Sequence, residues 1–299
     1  MAYHVPVLLA ESIEGLNISP HGVYVDLTFG GGGHSRSILE KLGEKGRLIA
    51  FDQDEAAQEN SLDDKRFMLI RGNFRYFRNF LRYHGINQVN GILADLGVSS
   101  HHIDNPARGF SFRFEGPLDM RMNQNARLNA QNVINEYTEA ELTKILKLYG
   151  EVQNAAKMAL AITKARASKR IETAEQFIEI LQPLIPFKYQ NKVLAQVFQA
   201  IRIEVNHEMV NLKVMLESSS KSLIPNGRLV VISYHSLEDR MVKNYLRYGN
   251  VEGTDTKDLM GNRKVPFEQV NKKVITPSEE ECKANNRSRS AKLRIGKRL

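Results

Sequence analysis

Asp26-Leu27-Thr28-Phe29-Gly30-Gly31-Gly32-Gly33-His34-Ser35 is the stretch that decides the fold. Val23, Val25 and Leu27 alternate with Tyr24, Asp26 and Thr28, which reads as a strand ending at Gly30. A helix then runs over residues 35–42, and Gly43 and Gly46 mark its end. Without Cβ atoms, four consecutive glycines let the backbone approach a ligand closely and present N–H groups at the start of that helix.

The same rhythm continues outward. Residues 47–51 (RLIAF) form a second strand closed by Asp52, residues 55–61 a helix, 67–70 a third strand, 74–83 a helix, and 89–96 a fourth strand with Asp95 near its end. Alternation at this pitch predicts a parallel, doubly wound sheet, which is α/β architecture. A Walker A phosphate loop needs Gly-Lys-Ser/Thr, and His34 stands where that lysine would be. A dinucleotide fingerprint prefers separated glycines. The third option is the nucleoside pocket of a class I methyltransferase, in which S-adenosylmethionine crosses the strand ends. Asp52 would accept from ribose hydroxyls there, and Asp26 could meet the ammonium of the methionine moiety. A plain tight turn explains the glycines less well, because four in a row exceed what a turn needs.

After residue 100 the rhythm breaks. Residues 101–127 have no period, and their length points to a functional loop or disorder. Arg108, Arg113 and Arg121 with Phe110, Phe112 and Phe114 suit phosphates and unpaired bases, or equally a half-buried strand. Helical patterns follow, with capping boxes at Thr138/Glu141 and Thr173/Gln176 and one long helix expected over 192–223. Residues 229–232 then return to the apolar type of a parallel strand, 237–248 are helical, and 272–275 and 291–295 are candidate closing strands. The simplest architecture is an α/β domain from residues 1–124 and 200–299, with an all-helical substrate-recognition insertion at 125–199. Ligands bind beyond the C-terminal ends of such strands, so Asp95, Tyr234 and His235 are expected to line one pocket, with Ser236 as a helix cap.

Composition narrows the class. The 299 residues are 42% hydrophobic and 25% charged, which is ordinary for a globular protein. No stretch approaches the roughly 18 apolar residues of a membrane span, and residues 1–20 lack the pattern of a secretory signal, so a cytoplasmic protein without membrane contact is expected. The single Cys282 excludes an internal disulfide framework and a cysteine-based zinc site. No metal is expected: His101, His102 and Asp104 lack a further ligand at suitable spacing, and His207-Glu208 is followed by Asn211. Lys plus Arg number 42 against 34 acidic residues, and the last 17 residues hold seven of those cations and no acid. A basic end of that kind suits a nucleic-acid partner or a solvated tail.

Several stretches together resemble the bacterial small-subunit ribosomal RNA cytosine-N4 methyltransferases, the MraW/RsmH family. They are HVPVLL at 4–9, DLTFGGGGHS at 26–35, FDQD at 51–54, DLGVSS at 95–100 and RGFSFRFEGPLDMRM at 108–122, then FQAIRIEVN at 198–206, HSLEDRMVK at 235–243 and RSRSAKLR at 287–294. The resemblance implies a class I methyltransferase domain with a helical insertion. It implies transfer of a methyl group from S-adenosylmethionine to the exocyclic amine of one cytidine in the decoding centre of 16S rRNA. Carried over by position, it implies cofactor contacts at Gly32, Gly33, His34, Asp52, Phe74, Asp95 and His102. Many members carry Gln where His102 stands, and the segment after Tyr149 also departs from the family pattern. For catalysis, Asp95 is the first candidate acceptor for the cytosine amine, and His235 or the Tyr234 carbonyl the second. A DNA amino-methyltransferase, a nicotinamide oxidoreductase and a non-catalytic ribosome-assembly factor are the competing readings.

Overall fold

Apolar side chains alternate between two faces along each inner strand, and this alternation builds the sheet. In the computed structural model, which describes residues 6–257, 261, 263 and 265–299 (the side chains of Ser100 and His101 excepted), seven strands form one sheet. They are β1 (Val23–Asp26), β2 (Arg47–Asp52), β3 (Phe67–Arg71), β4 (Val89–Asp95), β5 (Leu223–Ser233), β6 (Phe267–Gln269) and β7 (Lys292–Arg298), in the order β3-β2-β1-β4-β5-β7-β6. β1 to β5 are mutually parallel, and β7 runs antiparallel to both β5 and β6. Val25, Ile49, Ile92 and Val231 face one apolar layer with Phe77, Leu81, Leu212, Leu216 and Val242. Tyr24, Leu48, Leu93, Val230 and Ile232 face the other, with Leu16, Ile38 and Leu39. Burial on both faces is why these strands read as near-continuous apolar runs. His4 and Val5 of the HVPVLL stretch lie outside the described residues.

The chain divides into two compact units, one formed by residues up to Gly97 together with Met209–Leu299, the other by Val98–Glu208. The second unit is wider than the 125–199 expected for the insertion. Its core explains the difference: Leu118 and Met120 from the long loop, and Ala200, Ile201 and Val205 from a later helix, are buried with Val133, Leu146, Ile162 and Phe177. The loop is therefore ordered structure of the helical unit, pinned by a bridge between Pro117 and Thr173. Thr138/Glu141 and Thr173/Gln176 cap their helices reciprocally, as the spacing predicts.

Two elements depart from the sequence reading. The long helix expected over 192–223 is two, Gln190–Asn206 and Glu208–Ser222, divided at His207, whose φ of 50° is left-handed. The closing strand expected at 272–275 is reduced to one bridge, Ile275 to Leu293, and Phe267–Gln269 takes the sheet edge instead. The basic C-terminus is not a solvated tail. Arg294 and Lys292 pair with Asp239, Lys297 pairs with Glu268, and Arg298 donates to the carbonyls of Ser220 and Pro266.

Candidate active site

Parallel pairing in register brings three carboxylates to one edge of the sheet. Asp26, Asp52 and Asp95 end β1, β2 and β4, the ends where open α/β sheets bind ligands. They do different things. Asp26 is 1% exposed, and its carboxylate accepts from Ser35 Oγ at 2.7 Å and Thr28 N at 3.1 Å. It holds the turn to the helix Gly33–Lys41, which corrects the expectation that it faces a ligand ammonium. Burial raises its carboxyl to a pKa of about 6, against the hydrogen bonds from Ser35 and Thr28.

Asp52 is half-buried and accepts from Gly30 N and Asp54 N, each at 2.8 Å. Gly30 has a φ of 51°, and a Cβ there would meet nothing within 4 Å, so the turn opens onto free space. Gly32, at φ 75°, lies against the Phe29 ring, and a Cβ on Gly33 would fall 2.2 Å from Pro6 Cγ. The last two glycines are therefore also required by packing within the protein.

His34, in the first turn of that helix, is buried. Its Nε2 lies 3.2 Å from the Val7 carbonyl, which can only accept, so Nε2 carries the proton. Burial lowers the imidazole below its ordinary 6.5, which leaves the ring neutral at pH 7. Nδ1 then turns a lone pair towards Asp95 Oδ2, 3.9 Å away. Two acceptors at that separation call for a donor between them, and a bound ammonium meets that need. With the open turn at Gly30 and the Asp52 carboxylate at the end of β2, these acceptors fit an amino acid joined to a nucleoside, as in S-adenosylmethionine.

Asp95 receives the Tyr234 hydroxyl on Oδ1 at 2.8 Å, and its own N–H donates to Thr28 Oγ1 at 2.7 Å. Burial pushes its carboxyl up to about 6, opposed by the Tyr234 hydrogen bond. Burial and the facing Asp95 carboxylate together push the Tyr234 phenol far above its ordinary 10, so it stays a donor. His235 is engaged within its own turn. Its Nδ1 accepts from Glu238 N at 3.4 Å as the N-cap of Ser236–Tyr248, and its Nε2 lies 3.2 Å from Glu238 Oε1. The cap is His235, not Ser236. Glu238, which sequence reasoning passed over, accepts from Tyr234 N at 2.9 Å and His235 N at 3.3 Å and so fixes the turn that carries Tyr234. A Glu three residues after the cap was the available signal.

Phe74 follows β3 on a short 3-10 turn and is half-buried, as is Phe80, while Phe77 is 0% exposed and belongs to the core. In the second unit, His102 Nδ1 lies 3.1 Å from Ser99 Oγ, and its ring stacks on Phe110 with centroids 5.0 Å apart. Arg108 is buried, donating to the carbonyls of Arg121 and Met122, and Arg121 forks onto Asp119. These two arginines are structural, which corrects their expected role at phosphates. Arg113 and Phe114 are exposed.

A parallel sheet with its seventh strand reversed, and a glycine turn and carboxylates at its ligand-binding edge, defines a class I methyltransferase. The chain belongs to the MraW methylase family, whose family model matches residues 1–299. As a member it is a methyltransferase that uses S-adenosylmethionine. Similar curated proteins include the ribosomal RNA small subunit methyltransferase H of Bacteroides fragilis, 58% identical over 99% of this chain and 97% of that protein. The protein of the same name from Bacteroides thetaiotaomicron is 58% identical over 100% of this chain and 98% of its own length. That of Flavobacterium johnsoniae is 54% identical over 100% and 99%. No helix among the described residues is long and apolar enough to cross a membrane.

Proposed function

We propose that this enzyme methylates N4 of a specific cytidine in the decoding centre of 16S rRNA, within the small ribosomal subunit and in the cytoplasm. The names of the relatives support rRNA as the substrate. The observation that carries the chemistry is a half-exposed Asp95 carboxylate at a strand end, oriented by Tyr234 and facing a neutral His34. Gly32, Gly33, His34, Asp52, Phe74 and Asp95 would hold the cofactor, and His102 joins them on the resemblance alone. S-adenosylmethionine supplies an electrophilic methyl on a sulfonium.

A cytosine amine is a poor nucleophile because its lone pair is delocalised into the ring. Asp95, by accepting one N4 hydrogen, localises that lone pair and orients it. Positioning of this kind supplies much of the rate. Asp95, a weak base poised near 6, takes the proton as the amine becomes cationic. Tyr234 fixes the carboxylate rotamer, and His235 with Glu238 fixes Tyr234, so His235 is a positioning residue.

The test is transfer of labelled methyl to unmodified small subunits, naked 16S rRNA and duplex DNA. Label in subunits is expected. Label in DNA would transfer the protein to the DNA-modifying class, and none anywhere with intact cofactor binding would favour an assembly factor.

A further inference from the structure

Residues 65–94 contain six cations, Lys65, Arg66, Arg71, Arg75, Arg78 and Arg82, and no Asp or Glu. The stretch leaves the ligand-binding edge at Phe74 and enters the helix Phe77–Tyr83. Phe77 and Leu81, one turn apart, face the core. Arg78 and Arg82, also one turn apart, form the neighbouring row and are about 6 Å apart along the axis. Arg66 pairs with Asp64, Arg71 with Glu55, and Arg75 donates to Asn211 while lying over the Tyr76 ring. Arg78 and Arg82 have no such partner among the described residues, and like charges one turn apart repel. Helix-end charge accounts for Arg82, which lies in the last turn, but not for Arg78. Tyr76 and Tyr83 beside them are 48% and 85% exposed.

Unpaired guanidinium groups interleaved with exposed tyrosines form a surface for single-stranded nucleic acid: phosphates on the arginines, a base on the ring. We propose that the Arg78–Arg82 face with Tyr83 binds the phosphate backbone of the rRNA flanking the target nucleotide. This rests on the proposed rRNA substrate and assigns part of its binding to the sheet-bearing unit.

The test measures binding of 16S rRNA and of unmodified small subunits against salt concentration for wild type, Arg78→Gln/Arg82→Gln, and the charge-matched control Lys41→Gln/Lys45→Gln. Loss of two single-strand phosphate contacts lowers the salt slope by about 1.4 and weakens binding on the order of tenfold at 0.1 M salt. Tyr83→Ala weakens binding roughly fivefold with the slope unchanged. Unchanged S-adenosylmethionine affinity and kcat, with a raised KM for subunits, are expected alongside. Wild-type slope and affinity in the arginine variant would overturn the proposal. Weakened binding to subunits but not to naked 16S rRNA would also overturn it, by pointing to a protein partner. A wild-type enzyme that methylates no rRNA would instead remove the underlying substrate reading, whatever the variants show.

Discussion

The Tyr234 hydroxyl donates to Asp95 Oδ1 at 2.8 Å, joining residues 139 positions apart in sequence across neighbouring strand ends. The bond holds one carboxylate oxygen and leaves the other facing His34. It also favours the ionised carboxylate. Asp95 can take the amine proton only when ionised, so kcat/KM falls as pH drops through about 6. Burial keeps that value high, and the hydrogen bond pulls it down. Tyr234→Phe removes the downward pull, so its acidic limb moves to higher pH. A pH–rate profile of the two enzymes checks the shift, and identical limbs would show that the bond does not tune Asp95.

The glycine turn separates strain from ligand contact. Gly30 and Gly85 both have positive φ, 51° and 73°, and a Cβ on either meets nothing within 4 Å. Alanine at each position costs roughly 1 kcal/mol from the left-handed backbone alone. Thermal melts of Gly30→Ala and Gly85→Ala should therefore drop comparably. Calorimetric titration with S-adenosylmethionine should show at least tenfold weaker binding only for Gly30→Ala. Gly33→Ala should lose stability and affinity together, because its Cβ displaces Pro6 and with it the Val7 carbonyl that orients His34.

His235 caps a helix, so its replacement separates capping from chemistry. Asparagine is a good cap and alanine is not, a difference of about 1 kcal/mol. His235→Asn should retain most of the transfer rate and His235→Ala should lose stability and rate. Single-turnover rates with melting curves measure this. Equal loss of rate in both variants, with the Asn form fully stable, would give the imidazole a direct part in the reaction.

How much of this was legible follows from how local each feature is. β1, β2 and β4 could be read because each carries its period and its terminal Asp within a few residues. The helix break at His207 could not, because apolar spacing continues through it from Val205 to Leu212 and the left-handed φ leaves no mark on the pattern. Phe267–Gln269 is three residues long and is a strand only because β7 pairs with it. Asp26 and Asp52 look alike in sequence, and only the Ser35 hydroxyl at 2.7 Å shows that the first is structural. The roles of Arg108 and Arg121 depended on which carbonyls and carboxylate lay near them, and spacing does not encode that.

The C-terminal strand depends on one such distant pairing. Asp239 accepts from Arg294 Nε at 2.7 Å and meets Lys292 at 3.4 Å, with the side chains of Asp239 and Arg294 13% and 11% exposed. Burial pushes the Asp239 carboxyl up, and the two cations more than offset this, leaving it below its ordinary 3.8. The pair's contribution is thus present at neutral pH and is lost as pH falls below about 3.8. Asp239→Asn strands a mostly buried guanidinium and should cost roughly 3 kcal/mol at pH 7 in denaturant unfolding. The difference from wild type should shrink towards pH 3.

The most direct test is identification of the methylated nucleoside. Unmodified small subunits are incubated with labelled S-adenosylmethionine and either wild type or Asp95→Asn, and the 16S rRNA is digested to nucleosides. Wild type should yield N4-methylcytidine, and Asp95→Asn, assayed at saturating cofactor because Asp95 also helps hold it, should transfer at least a hundredfold more slowly, the lower range for a lost acid–base group. Label on a ring carbon or on another base, or an Asp95→Asn enzyme as fast as wild type, would contradict the account.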